Sequence, residues 1–204
     1  MKTKTKKTEP DLKKLASFFF EVGTLRKTAR SHRQGLLTDD LSDNISSHSY
    51  RATVIGYFLA RLAKADVAKV VQMCLFHDVS ESRSGDQNWI HKRYVKVFED
   101  EIIHDQFGDI SFGKDILALG REYQERKSLE AKLAKDADLI DQILLLKEYA
   151  WQGNQEAASW LHKKITDNAQ FRDLKTTSAK KIARKIFTSR PSDWWNDLWT
   201  PTRR

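Results

Sequence analysis

The sequence predicts an all-α fold, a single helical bundle. Three observations carry that expectation. Only 8 Gly and 3 Pro punctuate 204 residues, and strands need more turn chemistry than that. Apolar residues recur at spacings of three and four in one segment after another, the period of an amphipathic helix. No stretch shows convincing strand alternation, and no internal repeat is visible.

The elements follow in order. The opening "MKTKTKKTEP" is basic, and a like-charged tail of this kind is expected to be solvated and disordered over residues 1–10. Leu12, Leu15, Phe19 and Val22 then fall at helical spacing before Gly23, so the first helix should turn that face inward. Residues 26–47, rich in Arg, Ser, Asp and Gly, read as a long loop of the kind that often carries function. In "SSHSYRATVIGYFLARLAKA" the residues His48, Ala52, Ile55, Leu59 and Leu62 step by four and three along one face. His48 therefore opens a buried stripe. "DVAKVVQMCLFHD" repeats the pattern and drives His77 and Asp78 out of the end of an apolar run.

Residues 82–91 read as a polar loop, and 92–106 and 114–126 as amphipathic helices. The longest candidate is "SLEAKLAKDADLIDQILLLKEYAWQ". Leu129, Leu133, Ile140 and Leu144 mark its apolar side, with Ala134, Asp138, Asp141 and Leu145 on an adjoining stripe. Two further helices, near 155–170 and 176–187, precede a Trp-rich tail over 191–204 that holds Trp194, Trp195 and Trp199. The domain is expected to occupy residues 11–190.

Composition bounds the function. The one cysteine, Cys74, excludes an internal disulfide framework and a Cys-based zinc cluster, and its apolar setting suits an inert core thiol. No apolar run approaches the ~18 residues of a membrane span, and the basic N-terminus lacks the apolar region of a secretory signal. A cytoplasmic location is the default expectation. The net charge of +8 suits an anionic partner such as a nucleotide, a phosphate ester or nucleic acid, although much of the excess lies at the two ends.

His48, His77, Asp78 and Asp138 stand out because each sits on or beside the buried side of a helical segment. Buried imidazoles and carboxylates are costly unless paired or bound to a metal. Two His with two Asp suit one divalent ion, Mn, Co, Zn, Fe or Mg, and with it the polarisation of a phosphoryl group and the acidification of water. Spacing alone leaves hydrogen-bonded core histidines as the alternative and leaves Asp136 and Asp141 competing with Asp138. His32, His91, His104 and His162 show no ligand spacing and read as surface groups, with His32 and His91 in loops near the site.

Taken in order, "LASFFFEVGTLRKTAR", "DNISSHSYRATVIG", "CLFHDVSESRSGD" and "SLEAKLAKDADLIDQILLLKEYA" resemble the motifs of the HD-domain metal-dependent phosphohydrolases, in their 5'-deoxynucleotidase branch. The similarity covers roughly residues 12–150. It implies an HD-domain bundle, His48, His77, Asp78 and Asp138 as metal ligands, Glu81 as catalytic acid, Asp86 on the sugar side and Arg30 on the phosphate. It also implies a nucleoside 5'-monophosphate substrate, with deoxynucleotides among the candidates, and a homodimer. The chain departs from the family pattern at Ser31-His32-Arg33, where relatives carry Gly-Trp. It departs again at "QNWIH", where Trp89 offers a substitute stacking surface beside Lys92. Those departures keep open another phosphate substrate, such as a cyclic nucleotide, a nucleoside triphosphate or an alarmone. The basic tails keep open a nucleic-acid-binding module as the least favoured reading.

Overall fold

A computed structural model describes residues 12–198. The basic segment 1–10 and Trp199 lie outside the described residues. All the regular elements within them are helical: α1 Leu12–Val22, α2 Arg33–Leu36, α3 Ile45–Ala63, α4 Val67–Phe76, α5 Glu81–Ser84 and α6 Trp89–Tyr94. They continue with α7 Glu99–Phe107, α8 Gly113–Glu125, α9 Leu129–Trp151, α10 Gln155–Leu161, α11 Ala169–Asp173 and α12 Thr177–Thr188. The all-α expectation holds.

The starts of the long helices are written in the sequence. Asn44, Asp66, Ser128 and Thr176 each accept a backbone N–H from the first turn of α3, α4, α9 and α12, satisfying donors that a helix start leaves orphaned. α9 is the central pillar, with α3 and α4 packed on it and on each other. Leu59, Val70, Met73, Cys74, Leu133 and Ile140 fill that junction, all nearly inaccessible to solvent. Gly56 lets α3 and α4 approach closely: a Cβ there would lie 2.6 Å from Cys74 Sγ and 3.2 Å from a Val70 methyl.

Several elements differ from their sequence-based expectation. The stretch 26–47 is not one open loop. It begins in a 3-10 turn, Gly23–Lys27, contains α2, and closes on itself through a bridge between Ala29 and Asn44. The region 82–91 holds α5 and the start of α6, and the expected helix over 92–106 divides into α6 and α7. The span 155–170 likewise divides into α10, a 3-10 turn Ile165–Asp167 and the start of α11.

Two faces are rotated. Phe19 is 65% exposed, because α1 meets α7 through Leu15, Phe18 and Val22, with the rings of Phe18 and Phe107 4.9 Å apart. Leu62 is exposed as well. The inner face of α3 is built from Ala52, Gly56, Leu59 and Ala60, and its alanines and glycine permit close packing. Trp194 and Trp195 lie on a 3-10 turn, Asp193–Leu198, with both rings exposed and set edge to face.

Candidate metal centre

Three helices deliver the candidate ligands. The Asn44 cap fixes the first turn of α3, and His48 follows one turn in, buried. Its Nδ1 donates to Asp141 Oδ2 at 2.6 Å. At the other side α4 ends at Phe76, leaving carbonyls without intrahelical donors. His77 Nδ1 donates to one of them, the Cys74 carbonyl, at 2.8 Å. Both Nδ1 protons are thus committed, so both Nε2 atoms carry lone pairs.

Those lone pairs face each other at 3.2 Å. Asp78 Oδ2 lies 3.1 Å from His77 Nε2 and 3.4 Å from His48 Nε2, and Asp138 Oδ1 lies 3.4 Å from His48 Nε2. Donors set about 2.0–2.2 Å from one ion are separated by roughly these edges. Lone pairs so close repel unless a positive charge lies among them. The donor set therefore fits a divalent ion. In the protein alone a proton takes that role. Burial and Arg30 push the His48 imidazole down, yet hydrogen bonds to Asp141 and Asp78 and the charge of Asp138 raise it to about 9.

His48, His77 and Asp78 form the tightest group, with one ligand atom from each within 4.8 Å of the others. Asp138 stands slightly outside it, because Lys135 Nζ holds its Oδ2 at 2.5 Å and leaves Oδ1 facing His48. Burial opposes the charge on Asp138, but Lys135, His48 and His77 hold its carboxyl below the ordinary range.

The three aspartates that spacing could not separate have different partners. Asp136 accepts from the backbone of Lys175 and Thr176 and from the Thr176 hydroxyl, which pins the start of α12. Asp141 orients His48 and is held from behind by Arg51. Arg51 in turn grips both oxygens of Glu148 at 2.7 and 2.9 Å. Only Asp138 points its free oxygen at the other donors.

A cavity of about 400 Å³ opens in front of this cluster. Arg30 and Asp86 both line it. Arg30 Nη1 lies 3.3 Å from Asp78 Oδ2 and its Nε 3.6 Å from Asp86 Oδ2. That Nε is buried without a hydrogen-bond partner. Burial opposes the Arg30 charge, but Asp78 and Asp86 outweigh it. Asp86 also accepts the Ser31 N–H at 2.6 Å, so it holds the Arg30 loop in place. Glu81 does not line this cavity, and its buried Oε2 has no partner. Burial, then Asp78 and Asp86, push its carboxyl up to about 9 against Arg30 and His48.

Trp89 and Lys92 line the same cavity, and the Trp89 ring is braced edge to face by Trp160, 4.8 Å away. Cys74 is buried, and burial with Asp138 nearby pushes its thiol up to about 12, as an inert core thiol requires. His104 and His162 are exposed and His91 is half-buried.

His32 corrects the expectation of a surface group. It is 6% exposed, lines the cavity, and pairs its Nε2 with Asp43 Oδ2 at 2.8 Å. The folded 26–47 segment buries that pair. Sequence reasoning also missed Tyr123, Arg126 and Lys135 on the cavity wall. Tyr123 packs its ring 5.5 Å from that of His77, and nothing in its local pattern signals the site.

Residues 22–191 match the HD domain family. The 5'-deoxynucleotidase HDDC2 of Dictyostelium discoideum is 32% identical over 151 residues, which is 67% of this chain and 78% of that protein. The 5'-deoxynucleotidase HDDC2 of Danio rerio is 25% identical over 142 residues, 66% of this chain and 69% of that protein. A solved structure from Magnetospirillum magnetotacticum, described as a predicted metal-dependent phosphohydrolase, superposes with a TM-score of 0.62 at 19% identity. That match covers 86% of this chain and 90% of the other, and it supports the fold.

Proposed function

The chain belongs to the HD domain family, and on that premise we propose that it is a metal-dependent phosphohydrolase that removes phosphate from nucleoside 5'-monophosphates. Deoxynucleotides head the substrate class, because both curated relatives are 5'-deoxynucleotidases.

The charge of the cavity carries this reading. Arg30, Lys92, Arg126 and Lys135 line it opposite Asp78, Asp86, Glu99 and Asp138, so cations and carboxylates balance. A divalent ion then leaves two positive charges, which match a phosphate monoester dianion. His48, His77, Asp78 and Asp138 would hold that ion. When bound, it supplies Lewis-acid charge and acidifies water; its identity among Mn, Co, Zn, Fe and Mg is a matter for titration.

The chain's own groups do the rest. Arg30 presents its guanidinium to the phosphate oxygens, its unpartnered Nε among the donors. Asp86 fixes the Arg30 loop and faces the sugar. Glu81, whose carboxyl is pushed up by burial and by Asp78 and Asp86 in the protein without an ion, is the group assigned to give a proton to the departing 5'-oxygen as the P–O bond breaks and the water oxygen bonds to phosphorus. The proton released by that water restores the acid form of Glu81.

A homodimer is the assembly we attach to this reading. Tyr50, Val54, Tyr57, Phe58 and Leu62 form an exposed apolar stripe on α3, which a second copy would cover. A cytoplasmic location fits a nucleotide substrate. No helix among the described residues is long and apolar enough to cross a membrane.

The test is phosphate release from a panel of nucleoside mono-, di- and triphosphates and cyclic nucleotides with Mn²⁺ or Co²⁺. The 5'-monophosphates are expected to react fastest, and chelation to abolish the reaction. Monophosphates at the bottom of the panel would move the function to another phosphate substrate. Steeply salt-dependent RNA or DNA binding without any hydrolysis would point to a nucleic-acid module.

A further inference from the structure

A second cavity, of about 610 Å³, lies beside the ion donors between α4, α7 and α8. Its inner wall is apolar, formed by Met73, Phe76, Ile103, Phe107 and Leu117. It meets the first cavity at His77, Glu99, Tyr123 and Gln124, which line both. One side of this partition is charged and the other has an apolar inner wall, and a nucleotide likewise joins a charged phosphate to a largely apolar base.

Gly120 lines the apolar cavity from the interior of α8. Glycine inside a helix is unfavourable, and here no neighbour demands it: a Cβ would meet no atom within 4 Å. What the missing side chain preserves is open space. The mouth is acidic. Glu99 accepts from Gln124 Nε2 at 3.3 Å, and Asp100, Glu101, Asp105 and Glu125 line the same cavity, outnumbering Arg121 and His104.

We propose that this cavity is the nucleobase site, and that its acidic mouth favours bases carrying an exocyclic amino group. The inference rests on the nucleotidase reading above. With the phosphate anchored at Arg30, the base is the one largely apolar part of the substrate, and pockets of a few hundred Å³ suit such groups. Carboxylates accept hydrogen bonds and cannot donate them when ionised. The amino groups of adenine and cytosine find partners at Glu99, whereas thymine or uracil offers a carboxylate only its N3–H, flanked by two carbonyl oxygens that the carboxylate repels.

The experiment compares dAMP, dCMP, dTMP and dUMP with 2-deoxyribose 5-phosphate, which has no base, in the full chain and in Gly120→Phe. The wild type is expected to favour dAMP and dCMP over dTMP and dUMP about fivefold or more, and Glu99→Gln to narrow that gap. Gly120→Phe is expected to lower the preference for dAMP over 2-deoxyribose 5-phosphate tenfold or more. Gly120→Leu is the smaller plug should the phenyl ring impair folding, which thermal melting reports. Equal loss on both substrates overturns the base site, and equal wild-type rates on all four bases overturn the selectivity. Calorimetric binding of deoxyadenosine, weakened by the plug, reads the cavity directly. It therefore separates a wrong base site from a wrong nucleotidase reading, in which no monophosphate is hydrolysed at all.

Discussion

Asp141 never faces the ion donors, yet it fixes which nitrogen His48 offers to them. Its Oδ2 takes the Nδ1 proton at 2.6 Å while Arg51 holds its other oxygen. Asp141→Asn keeps the shape and removes the charge. It should weaken divalent-ion binding about 10–100-fold by calorimetry, with the melting temperature little changed; unchanged affinity would deny Asp141 that role. Glu81→Gln should behave differently. Ion content stays at the wild-type level while the rate falls about 10²–10⁴-fold, and a variant as fast as wild type would remove Glu81 from proton transfer. The residue types of the site were legible in the sequence, but their division of labour was not. Asp136 answers to Thr176, 40 residues ahead, and Asp141 to His48, 93 residues behind. Neither separation leaves a local trace. His32 was misread for the same reason, since the Asp43 that buries it lies across a fold-back that polar composition concealed.

Between elements, the α3–α4 contact sets the distance between His48 and His77. Gly56→Ala inserts a methyl against Cys74 Sγ, and overpacking of this kind costs about 1–3 kcal/mol. A lower melting temperature together with weaker ion binding is expected; a melting loss with intact binding would show that the helices readjust away from the site. α1 is tied to the rest by Glu21, which accepts from Arg83 at 2.7 and 2.9 Å and from Gln106 at 2.6 Å. The Arg83 hydrogen bond, opposed by burial and helped by Gln106 and Ser82, holds the Glu21 carboxyl below its usual 4.5. Such a group stabilises the fold above its unfolded pKa, and the gain fades as pH falls through the depressed folded value. Solvent reaches both partners, so the contribution is at most about 1 kcal/mol. Glu21→Gln should lower the melting temperature by about 2–4 °C at pH 7 and by progressively less below pH 4. A difference independent of pH would make the contact one of shape alone. The long helices were legible because period and cap agree in them. The short ones, α2, α5, α6 and α11, were not: four to six residues are too few to show a period.

On the scale of the whole molecule, the bundle leaves an apolar stripe on α3 uncovered while the charged site opens elsewhere. If a second copy covers Tyr57 and Phe58, light scattering should give a dimer mass for the wild type and a monomer mass for Phe58→Glu; a monomeric wild type would contradict the assembly. The fold class and the order of site motifs were readable from sequence. The second cavity was not, because it exists only where α4, α7 and α8 fail to close on one another. The most direct test of the central claim is elemental analysis of the purified full-length protein after divalent-ion loading and removal of free metal. The account predicts about one ion per chain for the wild type and almost none for Asp78→Ala or Asp138→Ala. A wild type that retains no ion, or variants that retain it undiminished, would contradict it.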